Sequence, residues 1–259
     1  MPASEIHEAA AVGFDRAAGA YERARPSYPE DAVAHVVATL GIGPGARVVD
    51  LAAGTGKFTR LLVPSGAELV AVEPVAGMRD QLTAIIDGIE VHDGAAEALP
   101  FGDETIDAVV CAQAFHWFDQ QAALREIRRV LRPGGGLAVI FNIRDEHEPW
   151  VAELTRITGV ETAPRPHHKT SRAAFAGDVA AVGGYSSPTI ARFRYEQPLD
   201  EDLLVERVAS QSWIGAMPDD EREALLEQVR VLARTHTDLA GRPSFAMPYD
   251  TEVTTCHRV

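Results

Sequence analysis

Cysteine is scarce in this chain. Of 259 residues two are cysteine, Cys111 and Cys256. There is no C-x-x-C pair and no Cys/His run at ligand spacing, which excludes a disulfide framework and gives no reason to expect a metal site. Each cysteine falls in a segment of strand character, where a thiol behaves as a small buried apolar side chain. Basic charge is short as well: 24 Lys and Arg stand against 38 Asp and Glu, a net charge of −14. A broad nucleic-acid surface needs a basic footprint, so no nucleic-acid partner is expected. No apolar run reaches membrane-spanning length, and the N-terminal residues resemble neither a secretory signal nor a transit peptide. No membrane partner and a reducing, cytoplasmic setting are the expectation. Internal repeats and low-complexity tracts are also missing. What remains is a chain that is 46% hydrophobic, enough for a substantial core in one large domain or in one domain with an inserted cap.

The apolar pattern alternates between two periods. Val33, Val36, Val37 and Leu40 recur at helical spacing within 30–40, and the glycines at 41, 43 and 45 end that helix. Strands are expected at 48–51, 68–72, 89–93, 106–112 and 137–141, with helices at 57–62, 76–86 and 119–131 between them. Asp119 is placed to cap the last of these helices, and 132–136 is expected to be a tight turn into the next strand. Strands alternating with helices imply right-handed crossovers and a parallel sheet. Beyond Phe141 the order changes. Helices are expected at 149–159, 200–210 and 219–235, an irregular stretch at 162–187, a half-buried strand at 189–196 and a terminal strand at 251–259.

The stretch Val48-Val49-Asp50-Leu51-Ala52-Ala53-Gly54-Thr55-Gly56-Lys57 organises the chain. A buried strand runs into a turn that Gly54 and Gly56 allow to bend sharply and approach a ligand. Such a turn leads into a helix N-terminus at the carboxyl end of the strand. Asp50 decides what kind of ligand suits it. A carboxylate there opposes a pyrophosphate and favours an ammonium or another cation. The third small residue of a dinucleotide loop is also missing, because position 59 is Thr59. The next strand ends in Glu73, about 20 residues on, where an acid accepts hydrogen bonds from ribose hydroxyls.

These residues resemble the class I S-adenosylmethionine-dependent methyltransferases, and in particular the small-molecule type 11 group that includes trans-aconitate methyltransferase-like proteins. The likeness is carried by 50–56, by Val72-Glu73-Pro74 with Met78, by 96–101, by Gln113-Ala114-Phe115-His116-Trp117-Phe118 and by Leu131-Arg132-Pro133-Gly134-Gly135, in that order. It implies a Rossmann-like, mostly parallel seven-stranded α/β sheet with helices on both faces and a helical cap from the C-terminal part. Residues 1–142 would form the cofactor core with an N-terminal helical segment. Residues 143–259 would supply cap helices and the last two strands, the final one antiparallel beside 189–196.

The resemblance also implies roles toward S-adenosylmethionine. Asp50 and the Ala52 carbonyl would face its ammonium, and the loop N–H groups at Gly54 and Gly56, with Arg25, its carboxylate. Tyr21, four residues before Arg25 and on the same helix face, would close over that end. Both side chains are equally consistent with a surface helix face, and Arg25 with an anionic substrate. Glu73 and Pro74 belong to the ribose side. Met78 would lie on the adenine or simply pack its helix on the sheet. Ala96 and Glu97 answer the adenine edge. The family often has an acid two residues before that glutamate, where this chain has Ala95, so the adenine amino group would face Glu97 or another acceptor. Asp93 is expected to end its strand. Gln113 would touch the methionine portion. Ala52 stands where glycine is frequent, and alanine fits if its φ is not strongly positive.

Phe115 and Phe118 are expected in the core and Trp117 at the pocket wall. His116 is the candidate catalytic residue, either as general base or as a group that positions substrate. A basic cluster, Arg165, His167, His168, Lys169 and Arg172, suits a solvated loop or an anionic substrate. The expected activity is methyl transfer to a small-molecule acceptor, at hydroxyl or carboxylate oxygen. A catalytically silent cofactor-binding regulator is one rival. An NAD-linked oxidoreductase is another, and Thr59 argues against it.

Overall fold

A computed structural model of the protein describes residues 22–159 and 172–259. Seven strands form one sheet: β1 Arg47–Leu51, β2 Glu68–Val72, β3 Glu90–His92, β4 Ile106–Ala112, β5 Leu131–Arg144, β6 Thr189–Leu199 and β7 Phe245–His257. Their order is β3-β2-β1-β4-β5-β7-β6. The pairs β1·β2, β1·β4, β2·β3 and β4·β5 are parallel. β7 runs against both neighbours, because its contacts descend in number as theirs rise: Thr251 Oγ1 meets Asn142 Oδ1, and the Gly134 N–H donates to the Arg258 carbonyl. On the other side Thr189 meets Thr255 and Arg192 meets Glu252.

The chain divides into two compact units. One, of sheet and helices, holds 28–142, 172–193 and 251–259 among the described residues; the other, mainly helical, holds 22–27, 143–159 and 194–250. In the sheet unit the period-two alternation of the strands sorts side chains onto two faces. Val49, Leu51, Val109, Cys111, Leu137 and Val139 pack in one cluster with α4 (Gln120–Val130) and α6 (Arg172–Val182). Val48, Ala108, Val110, Ala138 and Ile140 pack in another with α1 (Glu30–Leu40) and with Leu62 of α2 (Thr59–Leu62). Each Leu or Ile so buried contributes about 1.5–3 kcal/mol. The Asp119 side chain accepts from Ala122 N–H at 3.0 Å and so starts α4. The helical unit has its own core, in which α5 (Pro149–Thr158), α7 (Glu201–Ala209) and α9 (Asp219–Thr235) bury Trp150, Leu154, Leu204, Val208 and Val229 with Met247 and Tyr249. A short helix, α8, spans Ser212–Gly215.

Three local expectations need correction. The stretch 162–187 contains a helix, α6, whose Phe175 and Val179 are buried one turn apart. The tight turn at 132–136 is an irregularity inside a longer strand: two steps along β4, Ile106 to Ala108, face five along β5, Leu131 to Gly136. The last strand begins at Phe245, six residues earlier than expected. Both cysteines are free, buried and in strands. No helix among the described residues is long and apolar enough to cross a membrane.

Candidate active site

The strand order reverses between β1 and β4. β2 and β3 extend the sheet one way from β1, and β4 and β5 the other. At such a reversal the loops leaving the strand ends diverge and leave a crevice. Asp50 stands at the end of β1, Glu73 directly follows β2, and Gln113 directly follows β4.

Both acids are buried, Asp50 at 2% and Glu73 at 5% exposure. Asp50 Oδ2 accepts from the Thr59 hydroxyl at 2.5 Å, while its Oδ1 is buried with no hydrogen-bond partner. Burial pushes the carboxyl up to about 7, against the lowering effect of Thr59, and the Glu73 charge adds to the rise. Glu73 is held differently. Its Oε2 accepts from Gly54 N–H and its Oε1 from Val75 N–H, each at 2.9 Å. Burial raises Glu73 too, although those two N–H groups and Arg79 pull the other way. The glycine loop after β1 is thereby tied to the acid after β2.

The loop backbone is left-handed at three positions, Ala52 (φ 55°), Gly54 (φ 59°) and Gly56 (φ 81°). The condition under which alanine fits position 52 without strain is therefore not met. An L-residue in that region costs about 1–2 kcal/mol, and Ala52, partly buried, packs against the sheet cluster. Gln113 (φ 60°) is a second non-glycine residue held there, so strain flanks the crevice on both sides. The two glycines differ in surroundings. A Cβ on Gly54 would meet nothing within 4 Å, whereas one on Gly56 would stand 3.0 Å from Leu82 Cγ and 3.1 Å from Ile86 Cδ1. Gly56→Ala is expected to destabilise the fold by about 1–3 kcal/mol more than Gly54→Ala, through overpacking added to a common backbone strain. Urea unfolding of both variants measures this, and equal losses would contradict it.

Comparison with known proteins gives the loop its context. A family model described as a methyltransferase domain matches residues 49–139. An uncharacterized methyltransferase of Mycobacterium tuberculosis is 39% identical over 249 residues, 95% of each chain. The chain belongs to the class I S-adenosylmethionine-dependent methyltransferases. An uncharacterized methyltransferase-like protein of Schizosaccharomyces pombe is 31% identical over 232 residues, 89% of this chain and 90% of that one. A solved putative methyltransferase from an antibiotic biosynthesis pathway of Anabaena variabilis covers 90% of this chain and 98% of its own, with a TM-score of 0.63 and 18% identity. It shares the fold.

Other expected site residues of the methyltransferase have varied surroundings. Met78 is buried on α3 (Ala76–Ile85), and Ala96 belongs to the sheet cluster. Pro74 is exposed. Glu97 accepts from the Asp119 N–H at 2.8 Å, so one of its oxygens is engaged at the start of α4. Asp93 is exposed just beyond β3 and paired with Arg79 at 3.3 Å. Gln113 donates to the Asn142 carbonyl at 3.4 Å. Phe115 and Phe118 are core residues, and Trp117 is half-buried against them. The His116 ring lies 4.9 Å from that of Trp117 and 5.7 Å from that of Phe141.

Arg25 is in the helical unit, where it donates to the Ser210 carbonyl at 2.7 Å and neighbours Arg144. Tyr21 and the cluster at 165–169 lie outside the described residues. Thr59 was legible only as a departure from a dinucleotide loop; its hydroxyl proves to hold Asp50. Among the described residues no group of His, Cys, Asp and Glu is placed to hold a metal ion.

Proposed function

We propose that this methyltransferase moves the methyl group of S-adenosylmethionine to an oxygen, hydroxyl or carboxylate, of a small organic acceptor, as a member of the trans-aconitate methyltransferase-like group working in the cytoplasm. The observation that carries the cofactor site is the pair of buried acids at consecutive strand ends, one with an unpartnered oxygen and the other bonded to the glycine loop. The cofactor suits these groups. Its ammonium answers the unpartnered Asp50 oxygen, and its ribose hydroxyls answer the lone pairs Glu73 has left after two N–H bonds. The open space over Gly54 admits its amino-acid end on the side of the Ala52 carbonyl; the N–H groups of Gly54 and Gly56, expected to meet the cofactor carboxylate, donate instead to Glu73 Oε2 and to the Ala53 carbonyl. Pro74, Met78, Ala96, Glu97 and Gln113 complete the assignment along the adenine and methionine portions.

When bound, the cofactor supplies a methyl group on a sulfonium, already activated for displacement. The protein's task is then to hold the acceptor oxygen in line and to exclude water. The aromatic faces of Trp117 and Phe141 beside His116 favour a cationic centre. His116 positions the acceptor, or takes its proton when the acceptor is a hydroxyl; a carboxylate acceptor needs no base. A screen of hydroxyl and carboxylate metabolites with radiolabelled cofactor tests the reading. Labelled methyl esters or ethers are expected, and label found only on nitrogen or carbon would sink the oxygen assignment. With an acceptor in hand, the loss of kcat in His116→Ala distinguishes the two roles. A positioning group loses rate evenly across pH, whereas a base loses rate that high pH restores.

A further inference from the structure

We propose that the helical unit carries a binding site for the oxyanion of a small molecule, a carboxylate or a phosphate, formed by Arg207, Gln211 and Arg144 with Arg25 beside them. Arg207, on α7, is 7% exposed, and its Nε and Nη1 are buried without a hydrogen-bond partner. Gln211 is 3% exposed, and its Nε2 is buried without one. Arg144, at the end of β5, has an Nη1 in the same condition. These groups share one electrostatic neighbourhood: burial, then the Arg207 guanidinium, then that of Arg25 push Arg144 down to about 10, and Tyr249 and Glu146 offset this only in part.

A guanidinium stays charged in a protein, so it cannot escape burial by losing its proton. Unfilled charged donors held near one another suffer both desolvation and mutual repulsion. The chain has 38 carboxylate side chains, yet none among the described residues pairs with Arg144 or Arg207. The unfilled atoms of this set are all N–H donors. That excludes a cationic ligand and one without acceptors. A planar carboxylate or a phosphate matches the forked donors of arginine, and the Gln211 amide adds a neutral donor. The site stands on these groups and does not rest on the methyl-transfer reading.

The test is calorimetric titration of the full chain with sodium phosphate and with sodium citrate, each against chloride at matched ionic strength. Saturable binding of at least one is expected, weakened about tenfold or more in Arg207→Met. Binding of phosphate alone assigns a phosphate-bearing ligand, and binding of citrate alone a carboxylate; either supports the proposal. Absence of saturable binding by the unaltered chain overturns it, as does undiminished binding by Arg207→Met. That variant replaces a buried unpaired charge with an apolar side chain, so its thermal midpoint in chloride is expected to be no lower than that of the unaltered chain. If it does not fold, Arg144→Met gives the same readout. S-adenosylhomocysteine titrated in parallel is expected to bind the variant as before. Joint loss of both responses would give the cluster to the cofactor and overturn the assignment.

Discussion

Glu73→Ala is expected to weaken S-adenosylhomocysteine binding by about one to two orders of magnitude in a calorimetric titration. A hydrogen bond to a charged group contributes about 1.5–3 kcal/mol, and each 1.4 kcal/mol is about a decade of affinity. The substitution does two things. It removes the acceptor proposed for the ribose hydroxyls, and it releases the N–H groups of Gly54 and Val75 that the carboxylate now holds. The second effect loosens a loop already held in left-handed backbone, so the loss should fall at the upper end of the range. Glu73→Gln separates the two contributions. Its amide oxygen can keep one N–H bond, while its NH2 group cannot accept the other. Unchanged affinity in both variants would contradict the site assignment. Lost affinity in Glu73→Ala alone would make the loop tether the larger share.

The sheet unit was legible because it obeys two simple periods. β4 is expected and found at 106–112, and α1 at 30–40, with Val33, Val36 and Leu40 facing inward. The misses occur where a local signal opposed a tertiary one. Gly183, Gly184 and the prolines at 164 and 166 marked 162–187 as irregular, and they outweighed the Phe175–Val179 pair that docks α6. Pro248 lies inside the last strand, although proline gives no N–H to a ladder. Its carbonyl still accepts from the Asp145 N–H at 3.0 Å, and Met247 and Tyr249 on either side are fully buried. Burial there outweighs the missing donor.

The placement of candidate site residues was legible wherever a residue sits at the end of a recognisable strand. Asp50, Glu73 and Gln113 fall into this class, since strand pattern and spacing place them before any coordinates exist. Residues that act through a partner were not legible. Thr59 becomes meaningful only when the loop folds back onto Asp50. Arg207 and Gln211 stand four residues apart, but Arg144 is far from both in sequence; what distinguishes the three is burial without partners, a property of the folded chain. Ala52 shows the converse. Sequence reasoning identified the position where glycine is usual, but the conformation, φ 55°, had to be observed.

Asp50 yields the second large effect, through pH. Its carboxyl is raised from 3.8 to about 7 mainly by burial. Below pH 3.8 both folded and unfolded chains hold this proton, and the group has no effect. As pH rises from there the unfolded chain ionises first, so this group's contribution to stability falls until the folded form ionises near pH 7, after which the deficit is constant. A difference of about three units corresponds to roughly 4 kcal/mol. Urea unfolding across this range should therefore show Asp50→Asn gaining on the unaltered protein as pH rises, by a few kcal/mol in all. A stability difference that does not change with pH would remove Asp50 as a buried acid. Cofactor binding should respond in the opposite sense. An ammonium beside Asp50 Oδ1 favours the ionised carboxylate, so S-adenosylhomocysteine affinity should rise with pH up to about 7, by at most tenfold per unit, and release protons as it binds. Asp50→Asn should abolish that dependence. The two trends have one cause: the burial that makes the free charge costly is what makes a cationic ligand at that carboxylate favourable.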